Sequence, residues 1–236
     1  MSEQPTDSAA AGTRVAILVF GGLTLLDAVG PYEAMRSVPG WEVSFVAPEP
    51  GPQRTDSGMT AIVADHALED LPDPDIVLVP GGQGNRPLLT DERVLGWLRA
   101  ADEGSRWTTS VCTGSLVLGA AGLLDGREAT SHWIYLDQLR DYGARPTGRR
   151  VVRDGKVWTA AGVSSGIDMA LALIGEDVGP EVAQAVQLAI EYDPQPPFDA
   201  GSPQKAPAEI VELVRAFEAR GGGLGGQDGA LSLIHI

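Results

Sequence analysis

The sequence contains very few thiol and imidazole groups. Its 236 residues include one cysteine, Cys112, and three histidines. A lone thiol cannot form an intramolecular disulfide, and nothing in the sequence indicates an oxidising compartment. Metal sites built from several thiolates are excluded for the same reason.

Basic residues and long apolar runs are also scarce. Seventeen basic against thirty-two acidic residues give a net charge of -15, which disfavours contact with phosphate backbones and anionic membrane surfaces. No apolar run approaches the roughly 18 residues of a membrane helix, and residues 1–12 lack the pattern of a secretion signal. We therefore expect a cytoplasmic protein that binds neither nucleic acid nor membrane.

Hydrophobic residues are frequent enough, at 43%, to form a substantial core. Continuous apolar runs of strand length, which are typical of strands buried on both faces, occupy residues 14–20, 41–47, 75–80 and 107–111. Helical spacing occurs at residues 31–37, 91–102, 114–121, 134–142, 166–174, 180–191 and 206–220. This alternation predicts an α/β fold with a mostly parallel sheet sandwiched by helices.

Other segments set the predicted limits of the domain. Residues 1–13 have the composition of a disordered leader, and residues 14–220 form the single predicted domain. Within it, residues 149–159 predict a β-hairpin turning on Asp154-Gly155, whereas the prolines of residues 193–203 exclude regular structure. Residues 221–236 are glycine-rich and end like a translated sequencing adaptor, so we interpret them as a flexible, foreign tail.

Cys112 follows a predicted strand and precedes a predicted helix, in the segment Ser-Val-Cys-Thr-Gly-Ser. Small neighbours allow a sharp strand-to-helix turn that projects the thiol above the sheet as a nucleophile elbow. The start of the following helix favours a thiolate, so we expect a lowered pKa for Cys112. The alternative is an inert buried cysteine.

Two further segments end predicted strands. Gly81 and Gly82 follow the third strand, where their amides, with that of Thr113, could stabilise a developing negative charge, although a plain tight loop also fits. Asp27 lies among apolar residues after the first strand, where burial would raise its pKa towards neutrality and make it a proton donor or acceptor.

His132 and Trp133 occur in the segment Ala-Thr-Ser-His-Trp, before a predicted helix. His132 could relay protons, form part of a pocket wall, or make a hydrogen bond at the start of the helix. Trp133 is a candidate pocket wall, although such aromatic residues are also common in cores.

Together these segments resemble the ThiJ/PfpI superfamily, whose fold is similar to flavodoxin and to class I glutamine amidotransferase domains. The resemblance spans about residues 14–220, and its motifs are most similar to isonitrile hydratases. It implies a Cys112 nucleophile, an acidic partner at Asp27 and a role for Thr113. It also implies a homodimer acting on a small molecule without metal or cofactor.

The resemblance leaves several functions open. An isonitrile hydratase would add water to an isonitrile through a thioimidate on Cys112, with Gly81, Gly82, His132 and Trp133 as substrate-binding residues. A glyoxalase or deglycase would attack reactive aldehydes, although such relatives commonly carry glutamate at position 27. Similar domains also form the sensing part of AraC-type regulators, and an oxidisable thiol could serve a redox sensor. Thr113 replaces the histidine of the protease-like branch, which disfavours a peptidase.

Overall fold

The computed structural model describes residues 12–219, so the predictions for residues 1–11 and for the tail lie outside the described residues. Strands occupy β1 Thr13–Leu18, β2 Trp41–Ala47, β3 Gly51–Arg54, β4 Ala61–Ala64, β5 His66–Ala67, β6 Ile76–Val79, β7 Trp107–Val111, β8 Glu128–Ala129, β9 Arg145–Pro146, β10 Val151–Asp154 and β11 Val157–Ala160. Helices occupy α1 Leu25–Met35, α2 Glu92–Gly104, α3 Gly114–Ala120, α4 Ser165–Val178, α5 Pro180–Ala189 and α6 Ala208–Ala219.

A seven-stranded sheet forms the centre of the fold, in the order β10-β11-β7-β6-β1-β2-β5. Its strands pair in parallel except for the antiparallel β10 and β11. The chain moves outwards from β1 to β2 on one side and from β6 to β7 on the other, so right-handed crossovers put α1 and α2 on opposite faces. This is the predicted α/β fold with a mostly parallel, helix-flanked sheet.

The central strands supply most of the core. All four residues of β6 are 0% exposed, which explains why their apolar run is continuous rather than alternating. Helix α1 packs on α4 and α4 on α5, while α2 packs on α3. Within residues 12–219, each helix is too short or too polar to cross a bilayer.

The strand predictions agree closely with the structure. β2 and β7 have the predicted bounds, β6 is one residue shorter at each end, and β1 begins at Thr13, which the prediction assigned to the leader. The hairpin is present, but Asp154 pairs with Val157, so its turn consists of Gly155 and Lys156 rather than Asp154-Gly155. The short β3–β4 hairpin was not predicted.

Two helix predictions need correction. Helix α1 begins at Leu25, six residues before its predicted start, so Pro31 lies inside it instead of in its first turn. The predicted helix at 134–142 is a 3-10 helix over Leu136–Tyr142. Over so short a segment, apolar spacing does not separate three residues per turn from 3.6.

Candidate active site

Cys112 occupies a sharp turn between β7 and α3. Its φ is 57°, a left-handed conformation that costs an ordinary residue roughly 1–2 kcal/mol. The Cys112 N–H donates to the carbonyls of Ala160 and Ala161 at 3.1 and 2.9 Å, which ties the turn to the end of β11. The predicted nucleophile elbow is therefore present.

Buried side chains hold the carbonyl groups of this turn. The Cys112 carbonyl accepts hydrogen bonds from the hydroxyls of Ser115 and Ser131, each at 3.0 Å. The Thr113 carbonyl accepts one from Asn85 Nδ2 at 2.9 Å. These three donors fix the peptide planes on either side of Thr113, and thereby the direction in which the thiol points.

Gly114 lies where the elbow touches β6. A Cβ atom at this position would lie 2.0 Å from the Val79 carbonyl oxygen, which is far inside contact distance. Only glycine fits, so the helix can begin directly after the turn at Cys112.

The Cys112 thiol is buried, with 6% of the residue exposed. Burial and the Asp27 carboxylate raise its pKa well above the ordinary value, while amide hydrogen bonds from Thr113 and Val163 act in the opposite direction. The predicted lowering of the Cys112 pKa is therefore wrong, because the seven-residue α3 is outweighed by desolvation and by the carboxylate. The raised pKa favours the protonated thiol over the thiolate.

Asp27, on α1, is completely buried beside this thiol. Its Oδ2 accepts a hydrogen bond from the Gly81 N–H at 2.9 Å, whereas Oδ1 has no hydrogen-bond partner among residues 12–219. Burial raises the pKa of Asp27 to about 7, against the effects of Gly81 and Cys112. The rise predicted from sequence is found, and the carboxyl group can gain or lose a proton near neutral pH.

The thiol and the carboxyl group influence each other directly. Each contributes to the pKa of the other, and one carboxyl oxygen has no hydrogen-bond partner among the described residues. A carboxylate in this position can accept the thiol proton when an electrophile approaches and then deliver it to a new atom. The arrangement is suited to a nucleophile with an adjacent acid–base group.

Gly81 and Gly82 have a different role from the predicted one. The Gly81 amide donates to Asp27, and the Gly82 amide donates to Thr113 Oγ1 at 3.0 Å, so neither is directed at an empty site. The amides of Thr113 and Val163 instead lower the pKa of the Cys112 thiol, against the larger effect of burial. The anion-stabilising role predicted for the glycine amides is therefore wrong, while that of the Thr113 amide stays a prediction.

A cavity of about 950 Å³ opens onto the elbow. Its wall includes four residues that the sequence analysis singled out: Cys112, Thr113, Gly82 and His132. The wall does not include Gly81, Trp133 or Asp27. Apolar lining comes from Leu89, Leu116 and Val163. Four of the seven residues predicted for the site thus face a common space.

His132 is part of the cavity wall. Burial lowers its pKa below the ordinary value, against the effect of the Glu218 charge, so the ring is neutral at physiological pH. Its Nδ1 accepts a hydrogen bond from the Ile134 N–H at 3.4 Å, but Ile134 lies in the turn before the 3-10 helix, which begins at Leu136, so the helix-start interpretation is wrong. Trp133 is turned away and packs under the guanidinium of Arg215, at 5.5 Å from its ring centre.

The sequence did not point to several residues of the site. Val163 contributes an amide to the sulfur from a φ of 33°, and it follows β11, whose carboxyl end lies beside that of β7. The position of Val163, after a strand that ends next to the Cys112 turn, was the signal in the sequence that could have identified it. Gln83, Tyr135 and Glu218 also line the cavity, and no local pattern marks them.

Metal ligands do not cluster in the described part of the chain. Between residues 12 and 219, no three His, Cys, Asp or Glu side chains come together in an arrangement that could hold a metal ion. Of the residues that the structure describes, Asp56, Arg86 and Glu218 are the charged ones that line the cavity.

Known proteins are similar to this chain in fold and in sequence. A ThiJ/PfpI family protein from Pseudomonas syringae superposes with a TM-score of 0.84 at 37% identity, covering 95% of this chain and 97% of that one. Isonitrile hydratase from Pseudomonas putida is 46% identical over 202 residues, which are 86% of this chain and 88% of that protein.

A transcriptional regulator is also similar. The HTH-type regulator CdhR of Pseudomonas aeruginosa is 34% identical over 154 residues, which are 64% of this chain and 44% of the regulator.

The DJ-1/PfpI family profile matches residues 13–176, a range that contains the elbow, Asp27 and the glycines after β6. The chain therefore belongs to the DJ-1/PfpI family.

Proposed function

We propose that this protein adds water to the terminal carbon of an isonitrile and releases an N-substituted formamide. The observation that carries the proposal is the buried pair of Cys112 thiol and Asp27 carboxyl at the cavity. The similarity to the isonitrile hydratase of Pseudomonas putida, at 46% identity over most of both chains, supports this substrate class.

In the first step, the Cys112 sulfur attacks the terminal carbon of the isonitrile. The Asp27 carboxylate accepts the thiol proton as the sulfur–carbon bond forms, and it delivers that proton to the same carbon. The product is a thioimidate. The amides of Thr113 and Val163 stabilise negative charge on the sulfur during the attack.

In the second step, water adds to the thioimidate carbon and a proton moves to nitrogen. The carbon–sulfur bond then breaks, the formyl group forms, and Cys112 regains its proton. Asp27 or the Thr113 hydroxyl, which lies in the cavity wall, positions the water. The cycle consumes one isonitrile and one water and needs no metal or organic cofactor.

The test is turnover by the purified protein of cyclohexyl isocyanide and, separately, of methylglyoxal. We expect N-cyclohexylformamide, identified by mass, and no comparable formation of lactate. Lactate formation without formamide would replace the proposal with a glyoxalase-type activity. Binding of either compound without any turnover would instead favour a sensing domain like that of the related regulators.

A further inference from the structure

Three side chains on the cavity wall form a hydrogen-bonded group, which we call the Glu218 group: Gln83, Tyr135 and Glu218. The Tyr135 hydroxyl and Gln83 Nε2 both donate to Glu218 Oε2 at 2.9 Å, and Gln83 Nε2 also lies 3.2 Å from the Tyr135 oxygen. Helix α6 supplies the carboxylate from a position 135 residues after Gln83. The last described helix thus places a charged group in the candidate substrate cavity.

The carboxylate of Glu218 is only partly satisfied by its neighbours. Both donors are neutral and converge on one oxygen, and among residues 12–219 Oε1 makes no hydrogen bond and the side chain forms no salt bridge. Glu218 is half-buried, so its charge is less screened than that of a fully exposed carboxylate. A ligand in the cavity can therefore interact with a carboxylate that no basic side chain of residues 12–219 pairs with.

The other charged groups of the wall do not reverse this sign. Asp56 already accepts hydrogen bonds from the Thr24 hydroxyl and the Ser57 N–H, each at 2.7 Å. Arg86 is exposed, and His132 is neutral because burial lowers its pKa. Counting the described residues, two carboxylates and one guanidinium line the cavity, which therefore favours a cation over an anion.

We propose that Glu218 is a specificity-determining residue, which selects isonitriles whose substituent carries a positively charged group such as a protonated amine over those that carry a carboxylate. The inference rests on the proposed function, because it concerns the part of the substrate that does not react. Tyr135 and Gln83 hold the carboxylate in place, while the isonitrile carbon meets Cys112 in the same cavity.

The experiment compares kcat/KM for three probes of similar size. They are cyclohexyl isocyanide, which is neutral, 4-isocyano-1-methylpiperidine, which is protonated at neutral pH, and 4-isocyanocyclohexanecarboxylate. We expect the wild-type protein to prefer the cationic to the anionic probe, and Glu218→Gln to reduce that ratio about tenfold with the neutral probe changed less than twofold. Glu212→Gln is the matched control, because Glu212 is on the same helix but pairs with Arg215 outside the cavity.

Each outcome decides between the claims. A cation-to-anion ratio that Glu218→Gln leaves unchanged, or an equal loss on all three probes, overturns the specificity role while the proposed function stands. Failure of the wild-type protein to convert any probe overturns the proposed function, and this inference with it. If Glu218→Gln does not fold, the salt dependence of the wild-type protein provides the test. Because the discrimination is electrostatic, the cation-to-anion ratio of kcat/KM must fall from low to high salt. A ratio that does not change with salt overturns the inference.

Discussion

At the scale of single residues, the proposed chemistry depends on a carboxyl group that is buried with incomplete hydrogen bonding. Asp27 is fully buried, one of its oxygens has no hydrogen-bond partner among the described residues, and its pKa rises to about 7. Burying a charge in this way costs stability, and sites where a fold tolerates such a cost are candidates for function.

The burial of Asp27 predicts how stability changes with pH. Because the pKa rises from 3.8 in the unfolded chain to about 7 in the native state, the native protein binds the extra proton between these values, and the stabilising contribution of this proton is lost as pH rises through about 7. Asp27→Asn removes the titration. We expect the free energy of unfolding of the variant, measured in urea, to increase relative to that of wild type by up to about 4 kcal/mol between pH 4 and pH 8.

Asp56→Asn is the control for this pH series, since Asp56 is an exposed carboxylate near the same cavity. Its difference from wild type should vary far less with pH. Parallel stability curves for Asp27→Asn and wild type would contradict a buried, neutral-range carboxyl group.

Thr113 offers a second test at this scale. Its hydroxyl accepts the Gly82 N–H and lies in the cavity wall. Thr113→Val leaves that partly buried amide without its acceptor and removes a group that could position water, so we expect a loss of about 1–2 kcal/mol in stability and about 10–100-fold in kcat/KM. Thr113→Ser should retain most of both, and comparable losses in the two variants would exclude a role for the hydroxyl.

The sequence revealed those site residues whose type is unusual for their place. Cys112 is the one thiol, and Asp27 is a carboxyl group in an apolar segment, so both could be predicted. Val163 acts through its backbone, and any side chain supplies an amide. Glu218 reaches its partners only through the tertiary fold, which no local pattern reveals.

At the scale of elements, continuous apolar runs predicted the bounds of the buried strands to within two residues, because β1, β2, β6 and β7 are stabilised by the core they enter. Shorter elements had no such signal. β3, Gly51–Arg54, contains a proline and alternates between half-buried and exposed residues, so it resembles a loop. The start of α1 was missed because Pro31 is typical of a first turn, yet it lies inside the helix.

The contact between the elbow and β6 predicts a large effect of one methyl group. Gly114→Ala would place its Cβ 2.0 Å from the Val79 carbonyl oxygen, so either β6 or the start of α3 must move. We expect a loss of about 3 kcal/mol or more in the free energy of unfolding, measured in urea. Gly104 lies at the end of α2, where an added Cβ would have no contact within 4 Å beyond its chain neighbours and its own helix. Gly104→Ala should therefore change the free energy of unfolding by less than about 1 kcal/mol.

If both alanine variants are equally stable, the elbow is not packed against β6 as described. If Gly114→Ala alone is destabilised but keeps full turnover, the exact placement of the thiol matters less than the account requires.

At the scale of the whole molecule, the cavity collects residues from most of the described chain, from Gly22 to Glu218. The wall is therefore complete only when the sheet, the segment after β6 and helix α6 have come together. This explains why charge and composition could limit the classes of function but could not identify the substituent of the substrate.

The assembly state is a prediction at this scale. We expect a homodimer, from the resemblance to the family and from the frequency of two-fold symmetry among oligomers. Large apolar side chains such as Leu188 and Phe198, 78% and 77% exposed, are available for an interface. Light scattering after size-exclusion chromatography should give about twice the chain mass of 24.7 kDa, and a mass of one chain would refute the prediction.

The central claim is that the Cys112 sulfur bonds to the isonitrile carbon. The most direct measurement is formamide production from cyclohexyl isocyanide by wild type, Cys112→Ala and Cys112→Ser, with circular dichroism to confirm that all three are folded. The account predicts that Cys112→Ala produces formamide only at the uncatalysed rate, and that Cys112→Ser, a much weaker nucleophile, loses nearly all turnover. Wild-type turnover in a folded Cys112→Ala protein would contradict it.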